Sequence, residues 1–362
     1  MEQTSQLITK EQLLKNAVND MNVFRNLPFE EQYAIALKNV LDNGTVSKDR
    51  TGVGTKRIQS QQIHINMQKE FPILQGKKMN FKSALVEMMW IMTGRNDLKF
   101  LKDNGVNYWD SWVKEDGTFG PIYGPQMRNF GGEEIEIFTQ IGMIKHKIFG
   151  ADQIKDVLNQ LMNTPDSRRI IIDLWNPKQL ATQALPPCHF YYQLCSYVDH
   201  DGVRKLDLHA VQRSADSFLG VPYDFMLFAI YLEIMSLYSG IEIGWIHCTF
   251  NDFHMYLNHE NQVKAYLDNY YDDPQGIINH SRNVQNPYIH IDYTDTILGQ
   301  DYNSDLLRFR EECVKQIPGM KEEDIHVATF DGLLNDIINS GFNFLKVAEY
   351  TSYGFIKGDV AV

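Results

Sequence analysis

Between Leu185 and Asp224 the chain gathers residues able to make and break bonds. Pro186-Pro187-Cys188-His189 sets a thiol beside an imidazole, and a thiolate is the strongest sulfur nucleophile that side chains provide. Gln212-Arg213-Ser214 follows, with the carboxylates of Asp216 and Asp224 just beyond, a set suited to an anionic, hydrogen-bonding ligand. Upstream, Asp49-Arg50-Thr51-Gly52-Val53-Gly54-Thr55 offers a guanidinium fork and accessible backbone N–H groups for a phosphate; taken alone, so short a glycine loop reads first as an ordinary turn with a surface arginine. Arg168-Arg169 is either solvated or set for a phosphate dianion. Glu87 is a lone carboxylate among Val86, Met88 and Met89, and a buried carboxylate needs a partner or a function. Trp109 and Trp112 place two indoles close together, as core or packing surface or as a ligand platform, and the turn-rich Gly120–Pro125 holds Tyr123 at a fixed place.

These residues need a frame, and periodicity outlines it. Apolar residues at Tyr33, Ala36, Leu37, Val40 and Leu41 recur at helical spacing, with Asn43-Gly44 as the stop through a left-handed cap. Ile58 to Met67 alternates as a strand. Phe81 to Leu101 reads as helix interrupted at Thr93-Gly94-Arg95-Asn96, and Ile154 to Met162 as a further helix. Ile170 to Trp175 reads as a buried strand, Phe225 to Tyr238 as a helix buried on most faces, and Ile241 to Phe250 as a strand delivering Asp252, His254 and Tyr256. Residues 1–30 form an N-terminal extension, with a short helix expected over Glu11 to Val18. Residues 31–362 form a single catalytic domain, with an irregular insertion near 130–150 and a peripheral one at 294–345.

Composition narrows the function. The chain has 362 residues, 43% of them hydrophobic and 22% charged, an ordinary globular balance. The net charge of −12 argues against broad binding to nucleic acid, while a small anion can still bind where arginines converge. No apolar run of about 18 residues suggests a membrane span, and Met1-Glu2-Gln3-Thr4-Ser5 lacks a signal-peptide start, so a cytoplasmic protein is expected. Cys188, Cys195, Cys248 and Cys313 form no CxxC pair and no cluster with histidine, so neither a disulfide framework nor a metal is expected.

In their order and spacing, DRTGVGT, FPIL, the Glu87 helix, YWDSW, GPIYG, PDSRRIII, PPCH, QRSADSFLGVPYD and DFHMY resemble the thymidylate synthase family, which includes pyrimidine nucleotide hydroxymethylases. The resemblance runs from Tyr33 to about Tyr266 and resumes at the last residues. It implies an α/β fold: a large mixed sheet with helices on one face, stacked back to back against its twin in a homodimer. It makes Cys188 the nucleophile and 5,10-methylenetetrahydrofolate the co-substrate. Arg50, Gln212, Arg213 and Ser214 fall on nucleotide-binding positions, with Arg168 and Arg169 reaching the phosphate bound in the partner subunit. His254 and Tyr256 match sugar-binding positions. Asp216 orders pyrimidine and folate, and Glu87 and Tyr123 order the water that takes the C5 proton. Lys77, Glu87, Trp109, Trp112, Asp216, Gly220 and Val362 fall around the folate, although Gln75-Gly76 departs from the family's usual paired threonines. The arginines are expected to lower the pKa of Cys188.

One departure bears on the substrate. Where thymidylate synthases carry an asparagine that pairs with N3–H and O4 of uracil, this chain has Asp224. Cytosine presents an N3 acceptor and an N4 amino donor, which a carboxyl matches with its O–H and its C=O. The expected reaction is therefore dCMP to 5-hydroxymethyl-dCMP, as in phages that modify their DNA. Its alternatives are dCMP methylation, dUMP methylation, and an inactive family member serving as a binding module. Trp109, Trp112 and the terminal Val360-Ala361-Val362 resemble the methylating branch, whose C-terminus excludes water.

Overall fold

The computed structural model describes residues 22–139, 142–273, 277, 291–293, 321–343, 345–347 and 350–360. The expected helix at Glu11 to Val18 and the terminal Val362 lie outside them. Helix α1 (Phe29–Asn43) leads through β1 (Thr45–Ser47) into the long strand β2 (Thr55–Asn66). Helices α2 (Phe81–Met92), α3 (Leu98–Asp103) and α4 (Gly124–Asn129) follow. Strands β3 (Glu133–Thr139) and β4 (Gly142–Ile148) pair antiparallel before α5 (Gln153–Asn163) and β5 (Ile171–Asp173). Then come β6 (His189–Val198), β7 (Arg204–Gln212), β8 (Ala215–Asp216), α6 (Gly220–Ser239), β9 (Glu242–Tyr256) and α7 (Glu260–Asp272). Beyond these lie β10 (Ile291–Tyr293), α8 (Glu322–Asn339) and β11 (Leu345–Val347).

The main sheet has seven strands in the order β1-β2-β9-β7-β6-β5, with β8 added beside β9. It is mixed: β9 runs parallel to β7 and β8, while the other neighbours are antiparallel. Side chains alternate between its faces. Ile63, Ile65, Leu194, Leu206, Leu208, Ala210, Ile246, Cys248 and Phe250 point into the core. Helix α6 is apolar nearly all round because it is enclosed, with Phe225, Phe228, Ile230 and Tyr231 all fully buried. By length and composition it is the one helix among the described residues that could cross a membrane, yet Asp224 and Glu233 interrupt its apolar run and it is mostly buried in the middle of the core. The opposite sheet face carries His64, His209, Trp245, His247 and Thr249, all partly open.

Three expectations change. Gly44 ends α1 in extended conformation (φ −66°, ψ 138°), not left-handed. Glycine is needed there because a Cβ would lie 2.3 Å from the Val40 carbonyl oxygen. Residues 130–150, expected to be irregular, hold the β3–β4 ribbon, since paired backbone groups satisfy one another there. The described part of 294–345 is no loose periphery: Phe330, Leu334 and Ile337 of α8 enter the core, and Asp331 pairs with Arg128 through both carboxylate oxygens (2.7 and 3.1 Å).

The hydroxyl of Tyr33, on α1, donates to the Ser217 carbonyl at 2.7 Å in a fully buried setting and so ties that helix to the turn after β8. Tyr33→Phe leaves that carbonyl unsatisfied and is expected to lower stability by about 1–2 kcal/mol. The change should be read as a lower urea midpoint with an unchanged denaturant slope.

Candidate functional site

Cys188 and His189 stand where the chain enters β6. A register shift between His189 and Tyr191 bulges the strand, so His189 and Tyr192 both turn inward. They meet: His189 Nδ1 lies 2.5 Å from the Tyr192 hydroxyl, and Nε2 lies 2.9 Å from Asp224 Oδ1. With the phenol donating to Nδ1, Nε2 carries the proton and donates to Asp224. Both ring nitrogens are thus engaged away from the thiol. The Cys-His dipeptide is not a thiol–base pair, because consecutive strand residues face opposite ways.

The backbone N–H of Cys188 donates to the Tyr123 hydroxyl at 3.0 Å. Tyr123 stands at the start of α4 with φ +45°, a left-handed value uncommon outside glycine, worth about 1–3 kcal/mol of strain. Arg213 turns back to the prolines: Nε donates to the Pro187 carbonyl and Nη2 to that of Pro186, both at 2.8 Å. Its backbone N–H donates to the Cys188 carbonyl at 3.0 Å. The loop that carries Cys188 is therefore clamped by Tyr123 and Arg213. Burial pushes the Cys188 thiol up to about 11, although Arg213 and, more weakly, Arg50 pull the other way. The expectation of a lowered thiol pKa is thus corrected: desolvation outweighs the two cations.

Glu87, midway along α2, is buried, and its oxygens accept from the Tyr108 hydroxyl (2.6 Å) and the Trp109 indole N–H (2.9 Å). Burial raises its pKa to about 6 against those two hydrogen bonds. Trp109 packs against Trp112 at 5.7 Å between ring centres. The Trp112 indole nitrogen is enclosed yet has no hydrogen-bond partner among the described residues.

At the start of α6, Asp216 Oδ1 accepts from the backbone N–H groups of Phe218 (3.0 Å) and Leu219 (3.2 Å). Gly220 lies between carboxylates, where a Cβ would stand 3.4 Å from Asp216 Cβ and 3.6 Å from Asp224 Oδ2. Lys77, placed by the resemblance at the folate tail, is buried with its ammonium on the Phe218 carbonyl and 3.9 Å from the centre of that residue's ring. Burial lowers it to about 7, opposed by Asp216.

Pairing of β8 with β9 sets Asp216 opposite His254. Burial works against the His254 imidazolium, yet Asp252 at 3.3 Å and the Asp216 carboxylate leave its pKa raised. The Tyr256 ring stands edge-on to it at 5.2 Å, and burial, reinforced by Asp216, pushes that phenol up to about 12. In the glycine loop, Asp49 accepts from the N–H groups of Gly54 (2.7 Å) and Thr51 (3.1 Å), fixing the turn that carries an exposed Arg50. Gln212 is fully buried, and neither end of its amide has a partner among the described residues. Ser214 is partly open, next to Arg213. Arg168 and Arg169 are exposed at the entry to β5, and neither makes an ion pair among the described residues.

The family model described as thymidylate synthase matches residues 31–306, most of the chain. The chain belongs to the thymidylate synthase family. The thymidylate synthase chemistry is folate-dependent one-carbon transfer to C5 of a pyrimidine nucleotide, so this protein is a one-carbon transferase of that class. The cluster of Cys188, Tyr123, Glu87, Asp216 and Asp224 lies within the matched span. The Trp112 indole N–H beside Trp109 and the buried Gln212 amide lack hydrogen-bond partners among the described residues, which suits both to meeting a bound ligand. Tyr108 and Tyr192 entered no expected role, and His189 was expected only beside the thiol. The inward turn of His189 depends on the bulge, which leaves no mark in the sequence.

Proposed function

We propose that this protein converts dCMP to 5-hydroxymethyl-dCMP. The observation that carries the reading is the Asp224 carboxyl, whose Oδ1 is held by His189 Nε2–H at 2.9 Å. That bond leaves Oδ2 for the O–H that cytosine N3 accepts, while Oδ1 keeps a lone pair for the N4 amino group. Cys188 sulfur bonds to C6, and the C5=C6 electron pair moves toward N3, where Asp224 delivers its proton. Methylenetetrahydrofolate, when bound, supplies the one-carbon unit that C5 takes up. Glu87, steadied by Tyr108 and Trp109, then receives the C5 proton through water. Tetrahydrofolate departs from the transferred carbon, water adds there as Cys188 leaves C6, and the N3 proton returns to Asp224.

Within this proposal Arg50, Arg213, Ser214 and Gln212 hold the nucleotide, and His254 with Tyr256 holds its sugar. Asp216, Gly220, Lys77, Trp109 and Trp112 line the folate side. Arg168 and Arg169, exposed and unpaired, serve a second copy of the chain. The partly open sheet face bearing Trp245, His247 and Thr249 supports back-to-back pairing in a homodimer.

One observation favours methylation as the second reading. The C-terminal segment closes on the site: the Gln75 carbonyl accepts from Tyr353 N–H at 2.8 Å, and His259 Nε2 lies 2.8 Å from the Asp359 carbonyl. A Cβ on Gly358 would lie 3.3 Å from the Leu219 side chain, beside Gly220. Such closure excludes the water that hydroxymethylation needs. Mass spectrometry of the products from dCMP and from dUMP, with dihydrofolate followed by absorbance, tests both readings. A hydroxymethyl product without dihydrofolate supports the first; dihydrofolate formed in step with nucleotide consumption overturns it.

The Glu87 carboxyl, raised by burial to about 6, must be ionised to accept a proton. Turnover is therefore expected to fall about tenfold per pH unit below 6 and to level above it, and Glu87→Gln removes that limb along with most of the rate. A pH profile of kcat for both proteins checks it.

A further inference from the structure

Lys77 lies between β2 and α2 on a segment whose backbone is gripped on both sides. Glu30 of α1 accepts from the N–H groups of Gln75 and Gly76, both at 2.6 Å. Asn269 of α7 donates to the Gly76 carbonyl at 2.9 Å. The N–H groups of Lys78 and Met79 donate to the Gly354 carbonyl (3.2 Å) and the Tyr350 hydroxyl (2.9 Å). Gly76 permits this approach, because a Cβ there would stand 2.6 Å from the Tyr266 ring and 2.9 Å from Glu30. The glycine that departs from the family's threonine thus lets α1 and α7 close on the segment. So held, Lys77 turns inward and is only 4% exposed.

A buried ammonium is costly unless a carboxylate pairs with it, yet Lys77 forms no ion pair among the described residues. It donates to the Phe218 carbonyl and stands 3.9 Å from the centre of the Phe218 ring. That carbonyl shares one peptide group with the Leu219 N–H, which donates to Asp216 Oδ1 at 3.2 Å. A cation on the oxygen draws electron density along the amide and strengthens its N–H as a donor. The Phe218 N–H meets the same Oδ1 at 3.0 Å. Asp216 Oδ2 makes no hydrogen bond among the described residues and is left for a ligand. Burial lowers Lys77 to about 7 and Asp216 opposes that fall, so the two charges act on one another. We propose that Lys77 is a positioning residue, whose ammonium holds the Asp216 carboxylate in place through the Phe218–Leu219 peptide and does not bind the folate tail. The inference rests on Asp216 serving the folate side, as in the proposed function.

The test compares the full-length parent with Lys77→Met, which nearly keeps the length of the side chain and removes its charge. With whichever nucleotide the parent turns over, kcat should fall about 10- to 100-fold while KM for methylenetetrahydrofolate stays within a few-fold. The loss should be the same with mono- and polyglutamylated folate. The urea midpoint should stay at or above the parent's, since relief of an unpaired buried charge outweighs one lost bond to a carbonyl. A residue that only supported the fold would lower midpoint and rate together. In an Asp216→Asn background, read by single-turnover rates, Lys77→Met should cost less than about threefold, because the carboxylate it acts on is gone. An unchanged kcat overturns the proposal, as does a KM rise confined to polyglutamylated folate, a fall in rate matched by a fall in midpoint, or equal losses in the two backgrounds. The comparison does not depend on the choice between dCMP and dUMP, so its failure and that of the substrate reading are told apart.

Discussion

Cys188→Ala is expected to lower turnover by about 10⁴-fold or more while leaving nucleotide affinity within a few-fold of the parent. In the proposed mechanism the sulfur makes the bond to C6 that renders C5 nucleophilic, and no neighbour stands ready to replace it. His189 is committed to Tyr192 and Asp224, and the Tyr123 hydroxyl is committed to the Cys188 N–H. Because burial holds the thiol up at about 11, Cys188 of the free protein is a thiol and not a thiolate at neutral pH. The thiol proton must therefore leave as the C6 bond forms. A second readout is covalent: 5-fluoro-dCMP with methylenetetrahydrofolate should add its mass to the parent chain and none to the Ala variant. Turnover by Cys188→Ala within tenfold of the parent would end the covalent mechanism. Absence of any adduct or turnover in the parent would instead favour a binding module.

Asp224→Asn should move preference from dCMP toward dUMP by about 10²–10⁴ in the ratio of kcat/KM values. The amide keeps the shape of the carboxyl but brings an N–H₂ where the O–H had been. Its better match is then N3–H and O4 of uracil. Two hydrogen bonds become mismatched to cytosine, each worth about 1–3 kcal/mol when buried, and about 1.4 kcal/mol corresponds to tenfold. The amide oxygen can still accept from His189 Nε2–H, so the side chain is expected to stay in place. Competition assays with both nucleotides present measure the ratio directly. A preference unchanged by the substitution would remove Asp224 from the specificity argument, and the family assignment would stand regardless.

Much of this was legible in the residue order. Helical spacing across Tyr33 to Leu41, alternation across Ile58 to Met67 and the apolar run from Phe225 to Tyr238 each became the expected element, because their buried faces dictate the period. The break at Thr93-Gly94-Arg95-Asn96 also fell where expected, between α2 and α3. Residues 130–150 misled because glycines and charges at the ribbon's ends hide a pairing that depends on two segments meeting. The Gly44 cap misled because a close contact with Val40, not a left-handed bend, requires glycine there.

By itself the sequence determined the family and marked a candidate cysteine and the residue types around it, since those rest on chemical identity and order along the chain. Tertiary structure alone decided what each group faces. It turned His189 from the thiol to Asp224 through a bulge, and raised Cys188 and Glu87 through burial. It also turned Lys77 inward beneath the Phe218–Leu219 peptide. Contact between distant segments and exclusion from water are properties of assembled chain. Linear order carries neither until distant strands pair.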